Sequence, residues 1–191
     1  MRYLVYGDSH LSGTLNIAKR SPFESERYWA SRYMQIKRGN ILLGALGFAS
    51  SAWRLTSRDR HINWTDEVRT ANLKYVVNNV RFLILPWIHS KYLASRILGQ
   101  IARQLPFDWE ARYGYRPVLL ETFVQTDRFK GTCYKAANWI KIGTTGGYSL
   151  SSVYKKDVPT KDIYIYPLRK NYREILSSRC SEPSNRIRTQ G

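Results

Sequence analysis

The chain alternates short apolar runs of strand length with longer segments that carry helical periodicity. Five apolar runs, rich in aromatic and β-branched residues and bounded by glycine or polar residues, predict strands at 2–6, 41–48, 80–88, 117–124 and 162–168. The third run, VRFLILPWI, is continuously apolar, which is typical of a strand covered on both faces. Pro86 within it cannot donate a hydrogen bond to a neighbouring strand, so we expect a sheet edge or a bulge there.

Helical periodicity is clearest between residues 91 and 105, KYLASRILGQIARQL. Its leucines and isoleucines recur every fourth residue while most arginines and glutamines fall outside that stripe, which predicts an amphipathic helix packed on a sheet. Pro106 is expected to end this helix. Another helix is expected to begin after Thr65, a suitable N-cap, and to fade near Asn78 and Asn79.

These elements, with a short helix expected at the start of 128–142, predict an α/β (α+β) fold in which helices flank a mixed central sheet. A single domain is expected over residues 1–168, with 7–40 as a variable insertion or irregular segment. Residues 169–191 hold six Lys/Arg against two Glu and few apolar residues, which is typical of a basic, largely disordered tail.

The net charge of the chain indicates a class of binding partner. The 191-residue chain has a formal net charge of +17 and a pI near 10.1, and such an excess attracts polyanions, above all nucleic acid. No apolar run is long enough to cross a membrane and the N-terminus lacks a signal-peptide core, so a cytoplasmic protein without a membrane partner is expected. The spacing of cysteines and histidines predicts neither a disulfide framework nor a metal site.

Two blocks resemble the GNAT-like acyltransferase-type fold. RFLILPWI followed by KYLASRIL is similar to the central bulged strand and following helix of that fold. CYKAANWIKIG is similar to its "lYeklGFkkvG" segment, with Tyr134, Asn138, Trp139 and Gly143 on the tyrosine, glycine, phenylalanine and glycine. The resemblance implies a bulged strand that parts from the next one, leaving a gap for the pantetheine arm of an acyl carrier. The pyrophosphate loop Q/R-x-x-G-x-G/A has no counterpart, because its position reads HSKYLAS, and this argues against an acyl-CoA cofactor.

A second resemblance covers nearly the whole ordered chain. Its blocks include LGALGFASSAWRLTSRDRHINWTDEVR, DWEARYGYRPVLLETFV, RFKGTCYKAANWIKIGTTGG and KDIYIYPL. They resemble a bacterial family that includes the Druantia anti-phage protein DruA, whose relatives occur beside transposase-like genes. The resemblance implies phage-defence or mobile-element biology, with other subunits of such a system as partners. Family members usually carry a helical, DNA-binding-like region before the first strand, so this chain is expected to be a truncated or split member.

Glu121 and Tyr134 are the candidate catalytic residues. Glu121 lies among apolar neighbours, which should raise its pKa and suit a general base. The favoured alternative is a buried ion pair with an arginine such as Arg58 or Arg81. Tyr134 matches the acyltransferase general acid by position, although a tyrosine there is more often part of a core. Cys133 is expected to be a small buried thiol rather than a nucleophile.

Candidate nucleic-acid-binding residues are the cations and amides at the ends of predicted elements. The run 58–61, RDRH, is the densest polar cluster before the tail, and a charged turn is its ordinary alternative. The loop 143–147, GTTGG, lacks a Walker A pattern and is expected to be a flexible hairpin with lysines nearby. The full set is Arg58, Arg60, Asn78, Asn79, Arg81, Lys141, Lys155 and Lys156.

The leading hypothesis is therefore a phage-defence or mobile-element protein that binds nucleic acid, with DNA expected, through a basic GNAT-like domain and without a cofactor. An acyl-CoA-dependent N-acyltransferase, which would use acetyl-CoA or another acyl-CoA, is the first alternative. A non-catalytic scaffold subunit is the second.

Overall fold

The computed structural model describes residues 4–6, 31–147 and 158–178. Seven strands of these residues form one mixed sheet in the order β1-β2-β3-β4-β5-β7-β6. The strands are β1 Leu4–Tyr6, β2 Ser31–Arg38, β3 Ile41–Ser50, β4 Val76–Ile84, β5 Leu119–Gln125, β6 Ile140–Thr144 and β7 Lys161–Pro167. Only the β4–β5 pair is parallel among them.

Helices cover both faces of this sheet. They are α1 Thr56–Ile62, α2 Asp66–Asn72, α3 Leu93–Tyr113, α4 Thr132–Ala136 and α5 Tyr172–Ser177. The larger core joins one face to α3 and α4, with the apolar stripe of α3 fully buried as its periodicity predicts. The smaller core, on the other face, joins α1 and α5 to β4, β5 and β7.

β4 is bulged and parts from β5. Gly47 faces Arg81 while Phe48 faces Asn79, so Val80 is the extra residue of the bulge. The parallel pairing stops at Asn79↔Thr122, although β4 continues to residue 84 and β5 to residue 125. The mixed sheet, the bulged strand and the gap that the GNAT-like resemblance implies are confirmed. The bulge lies at Val80 rather than Pro86, which follows the strand in a turn.

α2 ends earlier than predicted. It stops at Asn72, a 3₁₀ turn covers Leu73–Tyr75, and the chain enters β4 at Val76. Asn78 and Asn79 therefore lie in a strand and do not terminate a helix. The reason is tertiary, because Val76 and Val77 bury their side chains on opposite faces of the sheet, which only extended chain allows.

The prediction that Pro106 ends α3 is also wrong. The helix continues for another two turns, to Tyr113. Leu105 and Trp109, on either side of the proline, are both completely buried in the larger core. Burial of both halves against one sheet offsets the missing amide hydrogen bond.

The predicted domain boundaries need correction at both ends. β2 lies inside the segment 7–40 that was expected to be irregular, and it pairs with β1 and β3 through the sheet, while residues 7–30 lie outside the described residues. The predicted disordered tail begins too early, because α5 buries Tyr172 and Leu176 in the smaller core. Residues 179–191 lie outside the described residues.

Asn72 ties α5 to α2, and its replacement should loosen α5. The side chain is fully buried, and its Nδ2 donates to the carbonyl oxygens of Leu176 at 2.9 Å and Ser178 at 2.7 Å. Asn72→Ala leaves both carbonyls without this donor and is expected to lower the free energy of unfolding by about 1–3 kcal/mol. Amide hydrogen exchange in α5 should accelerate, while Ser177→Ala, at an exposed site of the same helix, should leave it unchanged. Unaltered exchange in Asn72→Ala would contradict this role.

Candidate functional site

A cleft opens where β4 and β5 part. Its volume is about 710 Å³, and its walls come from β4 on both sides of the bulge, Ala94 of α3, the end of β5, the loop residues 128–131, the start of α4 and the first residue of β7. Cavities of this size hold small-molecule-sized ligands in other proteins. The loop 126–131 is anchored to the segment just before β7, because the amide of Thr126 donates to the carbonyl of Thr160 at 3.0 Å.

Among the described residues, four cations and no carboxylate line this cleft. Arg81 comes from β4, Arg128 and Lys130 from the loop, and Lys161 from β7. None of the four forms an ion pair within the described residues. Uncompensated like charges around one hollow produce a positive potential that a dissolved anion can neutralise.

Phenylalanines lie between these cations. Phe82 and Phe123 are half-buried in the walls, while Phe129 is 58% exposed and stands between Arg128 and Lys130 in the sequence. The guanidinium of Arg128 lies over the Phe129 ring, 5.4 Å from its centroid. The cleft therefore presents both flat apolar surface and positive charge.

Asn79 holds the bulge in place at the base of the cleft. Its Nδ2 donates to the carbonyl oxygens of Gly47 at 3.0 Å and Arg81 at 2.9 Å, and its Oδ1 accepts from the Tyr134 hydroxyl at 2.8 Å. Burial raises the pKa of Tyr134 to about 12, so the hydroxyl is protonated at neutral pH and donates a hydrogen bond to Asn79. Both side chains are therefore engaged in positioning the backbone of β4.

Glu121 lies on the other face of the sheet, in a buried ion pair. Arg58 Nη1 is 3.1 Å from Glu121 Oε2, and the Ala52 amide donates to Oε1 at 3.2 Å. Both charged side chains are 0% exposed. Burial raises the pKa of the Glu121 carboxyl, while the Arg58 guanidinium and the Ala52 amide oppose that rise. Arg58 also pairs with Asp59 at 2.9 Å, so the guanidinium lies between two carboxylates.

This geometry corrects two predicted roles. Glu121 is not among the residues that line the cleft, and its carboxylate is held by Arg58, as the ion-pair alternative predicts. A general base must reach its substrate within hydrogen-bond distance, so the structure does not support that role for Glu121. Arg58 is fully buried and therefore cannot contact a nucleic acid at the surface.

Comparison with known proteins identifies the family of the chain. The sequence model described as "DruA: Druantia protein DruA" matches residues 31–151, well over half of the chain. The chain belongs to the DruA family. No individually curated protein matches this DruA-family sequence.

Several solved acetyltransferases are similar to the DruA-family fold. Spermidine N-acetyltransferase from Vibrio cholerae is 8% identical with a TM-score of 0.47, over 73% of this chain and 66% of that one. An N-acetyltransferase from Staphylococcus aureus Mu50 is 14% identical with a TM-score of 0.45, over 73% and 68%. A putative GNAT-family acetyltransferase from Desulfovibrio desulfuricans is 9% identical with a TM-score of 0.47, over 73% and 69%. The DruA-family chain thus spans about two thirds of the length of these proteins.

The predicted nucleic-acid residues of this DruA-family protein do not form one group. Arg81, Asn78 and Asn79 line the cleft, with Asn79 committed to the bulge. Arg60 is exposed on α1, and Lys141 on β6 pairs with Asp162 at 2.7 Å. Lys155 and Lys156 lie outside the described residues.

Sequence reasoning missed most of the cleft's cations and its exposed aromatic ring. Arg128, Phe129 and Lys130 form a basic-aromatic-basic triplet directly after a predicted strand, and that pattern was a usable signal for a binding loop. Lys161 carried no such signal, because it joins the cleft only through the pairing of β7 with β5.

Cys133 is half-buried in the cleft wall, and burial raises the pKa of its thiol, which disfavours the reactive thiolate.

The described residues contain no group of three or more His, Cys, Asp or Glu side chains that could hold a metal ion. None of the described helices is both long and apolar enough to cross a membrane. Of the predicted flexible hairpin GTTGG, Gly143 and Thr144 belong to β6, and Gly147 is a buried glycine with φ +75°.

Proposed function

We propose that this DruA-family protein acts in bacterial anti-phage defence of the Druantia type, or in mobile-element biology, by binding nucleic acid in the cleft between β4 and β5. The observation that carries the proposal is a group of four cations from three segments of the chain that surround one hollow, with no ion pair and no carboxylate in the lining among the described residues. DNA is the expected polymer, and the other subunits of such a system are the expected protein partners.

Exposed cations without an ion pair also lie elsewhere among the described residues, but the four cleft cations line one hollow. Arg32, Arg58, Arg69 and Arg116 each reach an Asp or Glu among the described residues. The cleft cations have no such partner, so their mutual repulsion is offset only by a ligand or by salt. A polyphosphate backbone offers repeated negative charges to such a group and releases counterions when it binds.

The test is the salt dependence of nucleic-acid binding by the full chain and by a cleft variant. Arg81→Ala/Arg128→Ala/Lys130→Ala/Lys161→Ala removes four phosphate contacts, so the slope of log K against log salt should become shallower by about three. Affinity at low salt should fall at least roughly tenfold. Fluorescence anisotropy with labelled oligonucleotides measures both quantities between about 25 and 250 mM salt. Over this range the Debye length falls from about 20 to about 6 Å.

A matched variant separates the cleft from the general charge of the protein. Arg103, Arg112, Lys74 and Lys170 are exposed and lie outside the cleft, so replacing these two arginines and two lysines removes the same charge. This control should retain most of the affinity. Equal losses in both variants would show that binding is spread over the whole basic surface, and no binding at low salt would refute the proposal.

An acyl-CoA-dependent N-acyltransferase is the second candidate, because the gap between β4 and β5 matches the place where the resemblance puts an acyl carrier. Tyr134, the expected general acid of such an enzyme, already uses its hydroxyl to donate a hydrogen bond to Asn79. The turn between β4 and α3, residues 85–92, contains no glycine for a pyrophosphate loop. Calorimetry with acetyl-CoA decides this alternative, because absence of both heat and thermal shift would exclude it.

A further inference from the structure

We propose that the cleft binds a single strand of nucleic acid, with an unpaired base stacked on Phe129. This inference rests on the proposed function and names the form of nucleic acid that the site takes. Three features of the described residues support it: the concave shape of the site, the exposed ring between two cations, and a second hollow that adjoins the first.

The shape of the site favours an unpaired strand. Proteins that read a duplex insert a projecting helix or two-stranded ribbon into the major groove. Here the cations line the inside of a hollow between two strands that part, so phosphates and bases must enter the protein. An unpaired strand can do so because its bases are free to turn away from one another, whereas duplex bases are held in a stack.

Phe129 supplies the flat surface that an unpaired base requires. The ring is 58% exposed at the rim of the cleft, and Arg128 lies over it at 5.4 Å. Base stacking on an aromatic ring with adjacent cations for the phosphates is the usual construction of single-strand sites, and it tolerates any sequence. Arg128 and Lys130 on either side of Phe129 place phosphate-binding groups next to the stacking surface.

A second hollow extends the cleft along the strand ends. It has a volume of about 350 Å³ and shares Phe123 and Lys161 with the cleft. Its other lining includes Gly146 and Gly147, and the buried Gly147 packs against the backbone of Val158. Because the two hollows adjoin at these two residues, we expect a strand of several nucleotides in the first to reach the second.

The test compares labelled oligonucleotides of one sequence in four forms: single-stranded DNA, single-stranded RNA, blunt duplex DNA, and a DNA strand with abasic sites throughout. We expect the single strands to bind at least roughly tenfold more tightly than the duplex at the same salt. Preference for DNA or for RNA would each support the inference and would identify the polymer. Phe129→Ala should weaken binding of the base-bearing strands by about tenfold and leave binding of the abasic strand unchanged.

Two variants complete the design. Phe129→Trp keeps a flat ring and should retain single-strand affinity, with a change in tryptophan emission on binding that reports the stack. Phe107→Ala removes a ring of nearly the same exposure, 57%, from α3 outside the cleft, and should have no effect.

The outcomes separate this inference from the proposed function. Duplex binding as tight as single-strand binding, together with unchanged affinity in Phe129→Ala, would overturn the inference. Loss of binding in the four-cation variant would in that case still support the cleft as the nucleic-acid site. Absence of binding by every probe at low salt would overturn both.

Discussion

Replacing Arg58 with methionine is expected to lower the free energy of unfolding by about 3–5 kcal/mol, because it leaves the buried Glu121 carboxylate without its cation. The two side chains are 0% exposed and 3.1 Å apart, so water cannot substitute for the lost partner. Asp59, which also pairs with Arg58, loses a contact in the same change. Chemical denaturation followed by tryptophan fluorescence measures the loss.

Two further variants distinguish an unpaired buried charge from a simple loss of packing. Arg60→Met alters an exposed arginine of the same helix and should shift the free energy of unfolding by no more than about 0.5 kcal/mol. Arg58→Met/Glu121→Leu removes both charges and should recover much of the stability lost in Arg58→Met alone. If the double variant were as unstable as the single one, the ion pair would not be the source of the effect.

Replacing Asn79 with leucine is expected to lower the free energy of unfolding by about 2–4 kcal/mol, because three polar groups, two of them buried, lose this partner at once. These are the carbonyls of Gly47 and Arg81 and the hydroxyl of Tyr134. Since the two carbonyls belong to Gly47 and Arg81, the pair directly after the bulge, the variant should also narrow or reshape the cleft. Chemical denaturation gives the energy, and oligonucleotide binding under folded conditions reports the cleft.

Asn78 provides the matched control. It lies one residue away on the same strand, is half-buried, and makes no hydrogen bond through its side chain among the described contacts. Asn78→Ala should therefore change the free energy of unfolding by less than about 1 kcal/mol. Wild-type stability of Asn79→Leu would show that the bulge does not depend on this side chain.

Much of the fold could be predicted from local pattern. The strands at 41–48, 117–124 and 162–168 were visible as apolar runs, and each lies within a residue or two of an observed strand. The errors fell where tertiary burial opposed a local signal. Pro106 lies within a helix whose two halves pack into one core. β4 follows α2 after only the three residues of a 3₁₀ turn, because Val76 and Val77 are buried on opposite faces of the sheet.

The site was less predictable than the fold. Arg81 was identified from the sequence, and the Arg58–Glu121 pair was named as the alternative to a catalytic carboxylate. The remaining cleft cations were missed because their charge is ordinary in a chain with 31 Lys and Arg. What distinguishes them is that all four line one hollow without an ion-pair partner among the described residues, and that depends on distances in space.

By itself, the sequence of this DruA-family protein determined its polyanion-attracting charge, most of its strands and its long amphipathic helix, because these follow from composition and from contacts among near neighbours. Only the tertiary structure decided which charges are neutralised. It brings Glu121 against Arg58, 63 residues away in the chain, and it gathers Arg81, Arg128, Lys130 and Lys161 around a cleft whose described lining contains no carboxylate. Ionic interaction depends on separation and burial, and both are set by the bulge that parts β4 from β5 and by the packing of α1 on the opposite face.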